Sequence, residues 1–97
     1  MARVLNALWK AKEGQEEVIL NVLKTMTPLS RAEPGCRHYQ AHRAVEDSRL
    51  FFLYEVYDDA AAVDAHRAST HFQTHVVGTA LPNLESREVT VFEMLDL

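Results

Sequence analysis

Two histidines five positions apart, His66 and His71, are the side chains of this chain best suited to acid–base chemistry. A neutral imidazole, with a reference pKa of about 6.5, can accept a proton from a phenol or from a carbon beside a carbonyl group. The histidines follow residues 50–57, an apolar run typical of a buried strand. A strand followed by a helix that carries histidines predicts a site where titratable groups lie against an apolar wall.

A metal site is the other chemistry that the histidines could support. His71 and His75 are one helical turn apart, and His38 and His42 lie on one side of a predicted strand. No glutamate follows the helical pair in the pattern of a zinc protease, and the sequence shows no third ligand. The three glycines are scattered, which excludes a phosphate-binding loop. We therefore expect neither a metal nor a cofactor.

Length, composition and charge limit the kinds of protein that this chain can be. The 97 residues suffice for one domain, residues 1–97, and 47% of them are hydrophobic. A net charge of −4 without a basic stripe argues against nucleic acid as a partner. Cys36 is the only cysteine, so no internal disulfide can form, and a reducing compartment fits. With neither a signal-peptide pattern nor an apolar run of about 20 residues, the sequence predicts a cytoplasmic protein without a membrane partner.

The elements that must position the histidines can be read from apolar periodicity. Strands are expected at residues 3–12, 36–45, 50–57 and 88–95. A first helix is expected to begin near Glu16, because carboxylates favour a helix N-terminus and an apolar stripe follows. Pro28 should disturb the last turns of this helix, and residues 33–35 should end it.

The second helical region is expected to contain a break. Asp58 or Asp59 can cap its start, and Ser69 can cap a restarted helix that reaches about Leu81. The element order is then β-α-β-β-α-β. With right-handed crossovers, this order predicts an α+β fold of the ferredoxin-like type, a four-stranded antiparallel sheet with both helices on one face.

The sheet is expected to be apolar on both faces. The first strand alternates Leu5, Ala7 and Trp9 with Val4, Asn6 and Leu8. Two helices cover only one face. If the other face stays exposed to water, the protein loses on the order of 5–10 kcal/mol of hydrophobic free energy, at about 25 cal/mol per Å² of apolar surface. We therefore expect a homodimer in which a second copy covers the helix-free face, giving a dimeric α+β barrel.

Four segments of the chain together resemble the antibiotic biosynthesis monooxygenase family. The segments are residues 12–17 (KEGQEE), 31–36 (RAEPGC), 54–57 (YEVY) and 65–72 (AHRASTHF). The resemblance implies a cofactor-independent monooxygenase that acts on a quinol or polycyclic phenol with molecular oxygen. Two alternatives stay open, because one fold hosts many functions: an isomerase of a small phosphorylated hydroxyketone, and a non-catalytic dimeric domain that binds a small ligand.

The resemblance also implies site residues, located between the helices and the sheet. His66 would be the general base, with His71 in reserve, and the Asn6 amide would stabilise a developing oxyanion. The residues implied to contact the substrate are Leu8, Tyr54 and Phe72.

The position of tryptophan departs from the family pattern. Members of the superfamily in which a tryptophan has a role carry it near the position of His66, whereas the only tryptophan here is Trp9, on the first strand. This departure disfavours haem degradation.

Overall fold

A four-stranded antiparallel sheet forms the framework of the chain, and the computed structural model describes all of its residues, Met1–Leu97. The strands are β1 (Arg3–Ala11), β2 (Cys36–Ala44), β3 (Asp47–Tyr57) and β4 (Leu84–Glu93). They lie in the order β2-β3-β1-β4, and every neighbouring pair is antiparallel. Together with the helices between them, this order confirms the predicted ferredoxin-like α+β fold.

Helix α1 (Glu16–Arg31) packs against the sheet through its apolar stripe. Its buried side chains include Ile19, Val22 and Met26. Pro28 does not end the helix, which continues to Arg31. Proline removes a single backbone donor, and the carbonyl of Pro28 itself accepts the Ala32 N–H at 3.1 Å. None of the helices is long and apolar enough to span a membrane.

The second helical region is broken at Ser69, as predicted. Helix α2 (Ala60–Ala68) begins with Asp59 as its cap and ends at Ser69, whose backbone is extended. The Ser69 hydroxyl accepts the Phe72 N–H at 3.2 Å and donates to the His66 carbonyl at 2.6 Å. The chain then forms a π-helix (Phe72–Ala80) and a 3₁₀ turn (Leu81–Asn83). Sequence periodicity predicted an ordinary helix here and gave no sign of the wider winding.

Strand alternation divides the sheet into two apolar faces, as the sequence predicts. On β1, Leu5, Ala7 and Trp9 are buried on the helix-covered face. The intervening side chains point to the helix-free face, where Leu8 is 41% exposed. That face also carries Phe92, which is 47% exposed. One face of the sheet is therefore covered by helices, and the other is apolar without a cover in the single chain.

All four strands differ from their predicted bounds: β1 and β2 end one residue earlier and β4 two residues earlier, while β3 and β4 begin several residues earlier than predicted. β3 begins at Asp47, three residues earlier, because its pairing with β2 continues through a register shift to Ala44, opposite Asp47. β4 begins at Leu84, four residues earlier, because its pairing with β1 continues through a register shift to Ala11. Both extensions depend on pairing with another strand, so the local alternation of apolar and polar residues does not predict them.

Candidate active site

One carboxylate, that of Glu33, is hydrogen-bonded to both candidate histidines. Glu33 lies in the loop between α1 and β2, His66 in the last turn of α2, and His71 just before the π-helix. His66 Nδ1 is 2.8 Å from Glu33 Oε2, and His71 Nε2 is 2.5 Å from the same oxygen. An ionised carboxylate only accepts hydrogen bonds, so each of these nitrogens carries a proton.

The break at Ser69 is what allows the two histidines to meet. In a continuous α-helix, residues five apart point in directions about 140° apart. The extended backbone of Ser69 changes the direction of the chain between His66 and His71, so that both rings reach Glu33. A residue chosen in the sequence as a helix cap therefore also determines the geometry of the site.

Glu33 itself was missed by sequence reasoning. The segment Glu33-Pro34-Gly35 was interpreted only as a helix stop, and Glu33 meets His66 across 33 positions of the chain. Close packing of the loop on α2 brings them together, since a Cβ atom at Gly35 would lie 2.5 Å from the Ala62 Cβ. No local sequence pattern indicates such a contact.

The opposite edge of the His66 ring faces a second carboxylate. His66 Nε2 lies 3.5 Å from Glu55 Oε1, and the same oxygen accepts a hydrogen bond from the Tyr57 hydroxyl at 2.6 Å. Burial raises the pKa of Glu55, while the Tyr57 hydrogen bond and the charge of His66 oppose that rise. Burial, followed by the charge of Glu55, raises the pKa of Tyr57. His66 is only 3% exposed, so its Nδ1–H is fixed on Glu33 and its Nε2 is left as the basic atom.

A small cavity, here called the inner cavity, lies between the helices and the sheet beside His66. Its volume is about 20 Å³, enough for roughly one water molecule. Glu55 and His66 line it, together with Trp9 and Phe72. The Phe72 and His66 ring centroids are 5.2 Å apart in an edge-to-face arrangement. The cavity is thus largely apolar, with the histidine and the carboxylate at its wall.

Polar groups without protein partners also line the inner cavity. The indole N–H of Trp9 is buried and makes no hydrogen bond. Arg67 and Arg87 both line the cavity, and neither guanidinium forms an ion pair within 4.0 Å. Burial and then the nearby charge of Arg67 lower the pKa of Arg87. The Trp9 N–H and the two guanidinium groups therefore lie at this wall outside any side-chain hydrogen bond or ion pair, and Glu55 is the opposite charge near Arg87.

The structure brings some of the predicted site residues together and separates others. His66, His71 and Phe72 lie in one cluster. Asn6 lies apart from this cluster, because even-numbered residues of β1 point to the helix-free face. Leu8 and Tyr54 are displaced for the same reason, and Asn6 pairs directly with Tyr54 across the sheet. Glu55, not Tyr54, is the member of its strand that faces the cavity.

The remaining histidines lie elsewhere. His75 lies beside Val18 and Asn21 of α1, so it does not join His71 in a cluster. His42 contacts Phe52 on the helix-free face, with ring centroids 5.5 Å apart. Of the two pairs considered from spacing alone, His71 with His75 and His38 with His42, only His71 therefore reaches Glu33.

Comparisons with known proteins agree with this architecture. Residues 1–77 match the antibiotic biosynthesis monooxygenase family. "Putative monooxygenase YcnE" of Bacillus subtilis (strain 168) is 33% identical over 73 residues, which cover 75% of this chain and 77% of that protein. The crystal structure of PA3566 from Pseudomonas aeruginosa has a TM-score of 0.89 at 30% identity, covering 97% of this chain and 94% of that one.

A second solved structure extends the similarity over the whole chain. Rv0793 from Mycobacterium tuberculosis has a TM-score of 0.91 at 26% identity, covering 100% of this chain and 98% of that one. The family match spans well over half of the sequence, and the fold agrees with it. The chain belongs to the antibiotic biosynthesis monooxygenase family.

Proposed function

We propose that this chain is a cofactor-independent monooxygenase that oxidises a quinol or polycyclic phenol with molecular oxygen. The observation that carries the proposal is the setting of His66, which is buried, bonded through Nδ1 to Glu33 and positioned with Nε2 beside Glu55 at the inner cavity. Family membership and the activity named for the YcnE relative support the reaction type.

The reaction begins with proton transfer to His66 Nε2, which converts the phenol to an electron-rich anion. Glu33 acts as a positioning residue, because its bond to Nδ1–H fixes the tautomer and stabilises the imidazolium that forms. The anion gives an electron to O₂, and the resulting radical pair combines to a peroxide anion at a ring carbon. The protonated His66 returns its proton to this anion, which gives the hydroperoxide and restores the base. Loss of water leaves a carbonyl group, so one oxygen atom enters the product and the other leaves as water. The substrate supplies all of the electrons.

The negative charge that develops on the substrate needs donors, and Asn6 is not placed to provide one. The Trp9 indole N–H and the guanidinium groups of Arg67 and Arg87 are the available donors at the inner cavity. Donors already oriented in a site that excludes water stabilise such charge without reorganisation. We assign this role to Trp9 and Arg87 in place of Asn6.

Substrate binding requires the inner cavity to widen. A volume of about 20 Å³ does not admit an aromatic ring. Phe72 and Val76 of the π-helix form one wall, and π-helical hydrogen bonding is rare and frequent at functional sites. We propose that outward movement of this wall admits the substrate, with the sheet as the fixed side.

An isomerase of a small phosphorylated hydroxyketone is the second candidate. The specific observation in its favour is the pair of guanidinium groups, Arg67 and Arg87, which lack ion-pair partners and would suit a phosphate. The same base, His66, would remove the proton beside the carbonyl group, and no oxygen would be consumed.

The assembly that we propose for this function is a homodimer. A second copy of the chain would cover the helix-free face, where Leu8, Phe92 and Met94 are exposed. The buried Asn6 Oδ1, which makes no hydrogen bond within the chain, lies on that side of β1. Association through this face would leave the inner cavity of each protomer on the opposite side of its sheet.

Oxygen consumption tests the proposed reaction. Purified protein is mixed with a panel of quinols, anthrones and hydroxyketones in an oxygen electrode, with product analysis in parallel. Turnover with oxygen uptake supports the monooxygenase, whereas turnover of a hydroxyketone without uptake supports the isomerase. Binding of these compounds without turnover of any would contradict both enzyme proposals.

Variants then test the base. His66→Ala and the more conservative His66→Gln should each lower turnover by about 10²–10⁴-fold. His75→Ala is the matched control, since this histidine is outside the cluster and should keep full activity. Full activity in folded His66→Gln would show that another group is the base.

A further inference from the structure

We infer that Glu33, His66 and His71 form a binding site for a divalent transition-metal ion of the zinc class. One ligand atom from each side chain lies within 4.8 Å of the other two. Two imidazole nitrogens and a carboxylate oxygen are a set that zinc and its first-row neighbours accept. Three protein ligands leave at least one coordination position for water. The fold thus supplies, through Glu33, the third ligand that the sequence did not reveal.

The distances within the cluster are close to those that a metal ion requires. Without an ion, two protons join Glu33 Oε2 to His66 Nδ1 and His71 Nε2. An ion about 2.0–2.2 Å from each ligand replaces both protons, and tetrahedral angles then set the ligand atoms about 3.4 Å apart. The side chains must therefore separate by roughly 0.5–1 Å, which small rotations of Glu33 and His71 can provide.

A second carboxylate supports the same conclusion independently. A histidine that binds a metal ion commonly donates its other ring N–H to a carboxylate, which fixes the ring and its tautomer. A metal-bound His66 would carry its proton on Nε2, which faces Glu55 Oε1 at 3.5 Å, while Nδ1 faces the cluster. Glu55 is in turn bonded by the Tyr57 hydroxyl. The support that a metal-bound His66 would need is already in place.

The cluster is also reachable by an ion from solvent. The side chains of His71 and Glu33 are 19% and 14% exposed, whereas His66 is buried. An ion can therefore enter from the His71 side and bind at the boundary between solvent and the interior. The inner cavity lies on the Glu55 side of His66, away from this entrance.

Metal binding and general-base catalysis would exclude each other at His66. An ion on Nδ1 requires the tautomer of the neutral ring that carries its single proton on Nε2, so the ring can no longer accept a proton from a substrate. Inhibition by the ion is a consequence that rests on the proposed function, whereas binding of the ion does not.

Cobalt provides the test, because it replaces zinc and has a visible absorption spectrum. Protein without an affinity tag is freed of metal with a chelator and titrated with Co²⁺, and the single tryptophan, Trp9, reports through quenching beside His66. We expect saturation at one ion per chain and displacement of Co²⁺ by Zn²⁺. Glu33→Gln and His71→Ala should each weaken binding by at least 10-fold, and Glu55→Gln should weaken it by about 10–100-fold.

His75→Ala is the matched control and should bind Co²⁺ as the unaltered chain does. Circular dichroism of each variant establishes that it is folded before titration. Absence of a saturable cobalt spectrum up to about 1 mM would overturn the inference. So would an unchanged affinity in either folded variant, Glu33→Gln or His71→Ala. These readouts do not use enzymatic activity, so failure of the proposed reaction leaves the result interpretable.

Discussion

At the scale of single residues, the ion pair between Lys10 and Asp47 ties β1 to the start of β3. Lys10 donates to one carboxylate oxygen of Asp47, and the Arg49 N–H donates to the other at 3.0 Å. These hydrogen bonds, with that of Lys10 the larger cause, lower the pKa of Asp47 from its ordinary 3.8. A depressed folded-state pKa stabilises the fold above the unfolded-state pKa, and that stability is lost as pH falls through the folded-state value.

Asp47→Asn should therefore destabilise the protein at neutral pH. The difference in free energy of unfolding between the two proteins should persist down to about pH 4 and shrink below it, as the carboxyl group of the unaltered chain is protonated. Urea unfolding at several pH values between about 7 and 2.5 measures this difference. Asp96→Asn, at a carboxylate without a hydrogen bond to the chain, is the control. A difference in free energy of unfolding that stays constant from about pH 7 to about pH 2.5 would show that the ion pair does not contribute.

Residue types alone predicted part of the candidate site. The rest depends on how a loop packs on a distant helix and on which face of the sheet each side chain points to. His66 and His71 could be chosen from the sequence because few side chains titrate near neutrality, and both lie in the cluster. Glu33 could not, because its contact depends on packing between a loop and a distant helix. The sequence could not show that Asn6 lies on the opposite face from the histidines. The side to which a strand residue points depends on which face the helices cover, and both faces are apolar here.

At the scale of the elements, the contact between Gly35 and Ala62 holds the Glu33 loop against α2. Gly35→Ala would place a Cβ 2.5 Å from the Ala62 Cβ, so the loop and helix must separate. Overpacking of this kind costs about 1–3 kcal/mol. We expect a lower free energy of unfolding in urea and a loosened contact between Glu33 and His66.

A second substitution can relieve this clash. Ala62→Gly removes the opposing Cβ and leaves the Ala62 Cα at 3.5 Å as the nearest atom on α2. Glycine inside a helix itself costs about 1 kcal/mol. The double variant should therefore be no less stable than Ala62→Gly alone, while Gly78→Ala, whose Cβ meets nothing nearer than 3.4 Å, is the control. Additive losses in the double variant would contradict the packing argument.

The elements were predictable where their signals are local. Asp58 or Asp59 and Ser69 are predicted as caps because short polar side chains bond free backbone N–H groups. In the structure Asp59 and Ser69 do so. The π-helix was not predictable, because its apolar residues also suit an ordinary helix. The start of β4 was missed because residues 84–87 are mostly polar, and only pairing with β1 makes them a strand.

At the scale of the whole molecule, the helix-free face makes association testable. Light scattering at micromolar concentration should give about twice the chain mass of 11.0 kDa. Phe92→Glu places a charge on a side chain that is 47% exposed on this face, and should shift the protein to a monomer. Leu29→Glu is the control, because Leu29 is 41% exposed on α1, on the other side of the sheet. A monomeric unaltered chain would refute the homodimer.

The edge position of β4 has a consequence for how such chains can diversify. β4 pairs only with β1, yet it carries Arg87 and Val89 into the wall of the inner cavity. Glu33, His66 and His71 all come from earlier in the chain and make no hydrogen bond to β4 side chains. Replacement of the final strand could therefore change which molecules are accepted while the acid–base groups stay intact. Divergence of selectivity and retention of the acid–base groups would then belong to separate stretches of the chain.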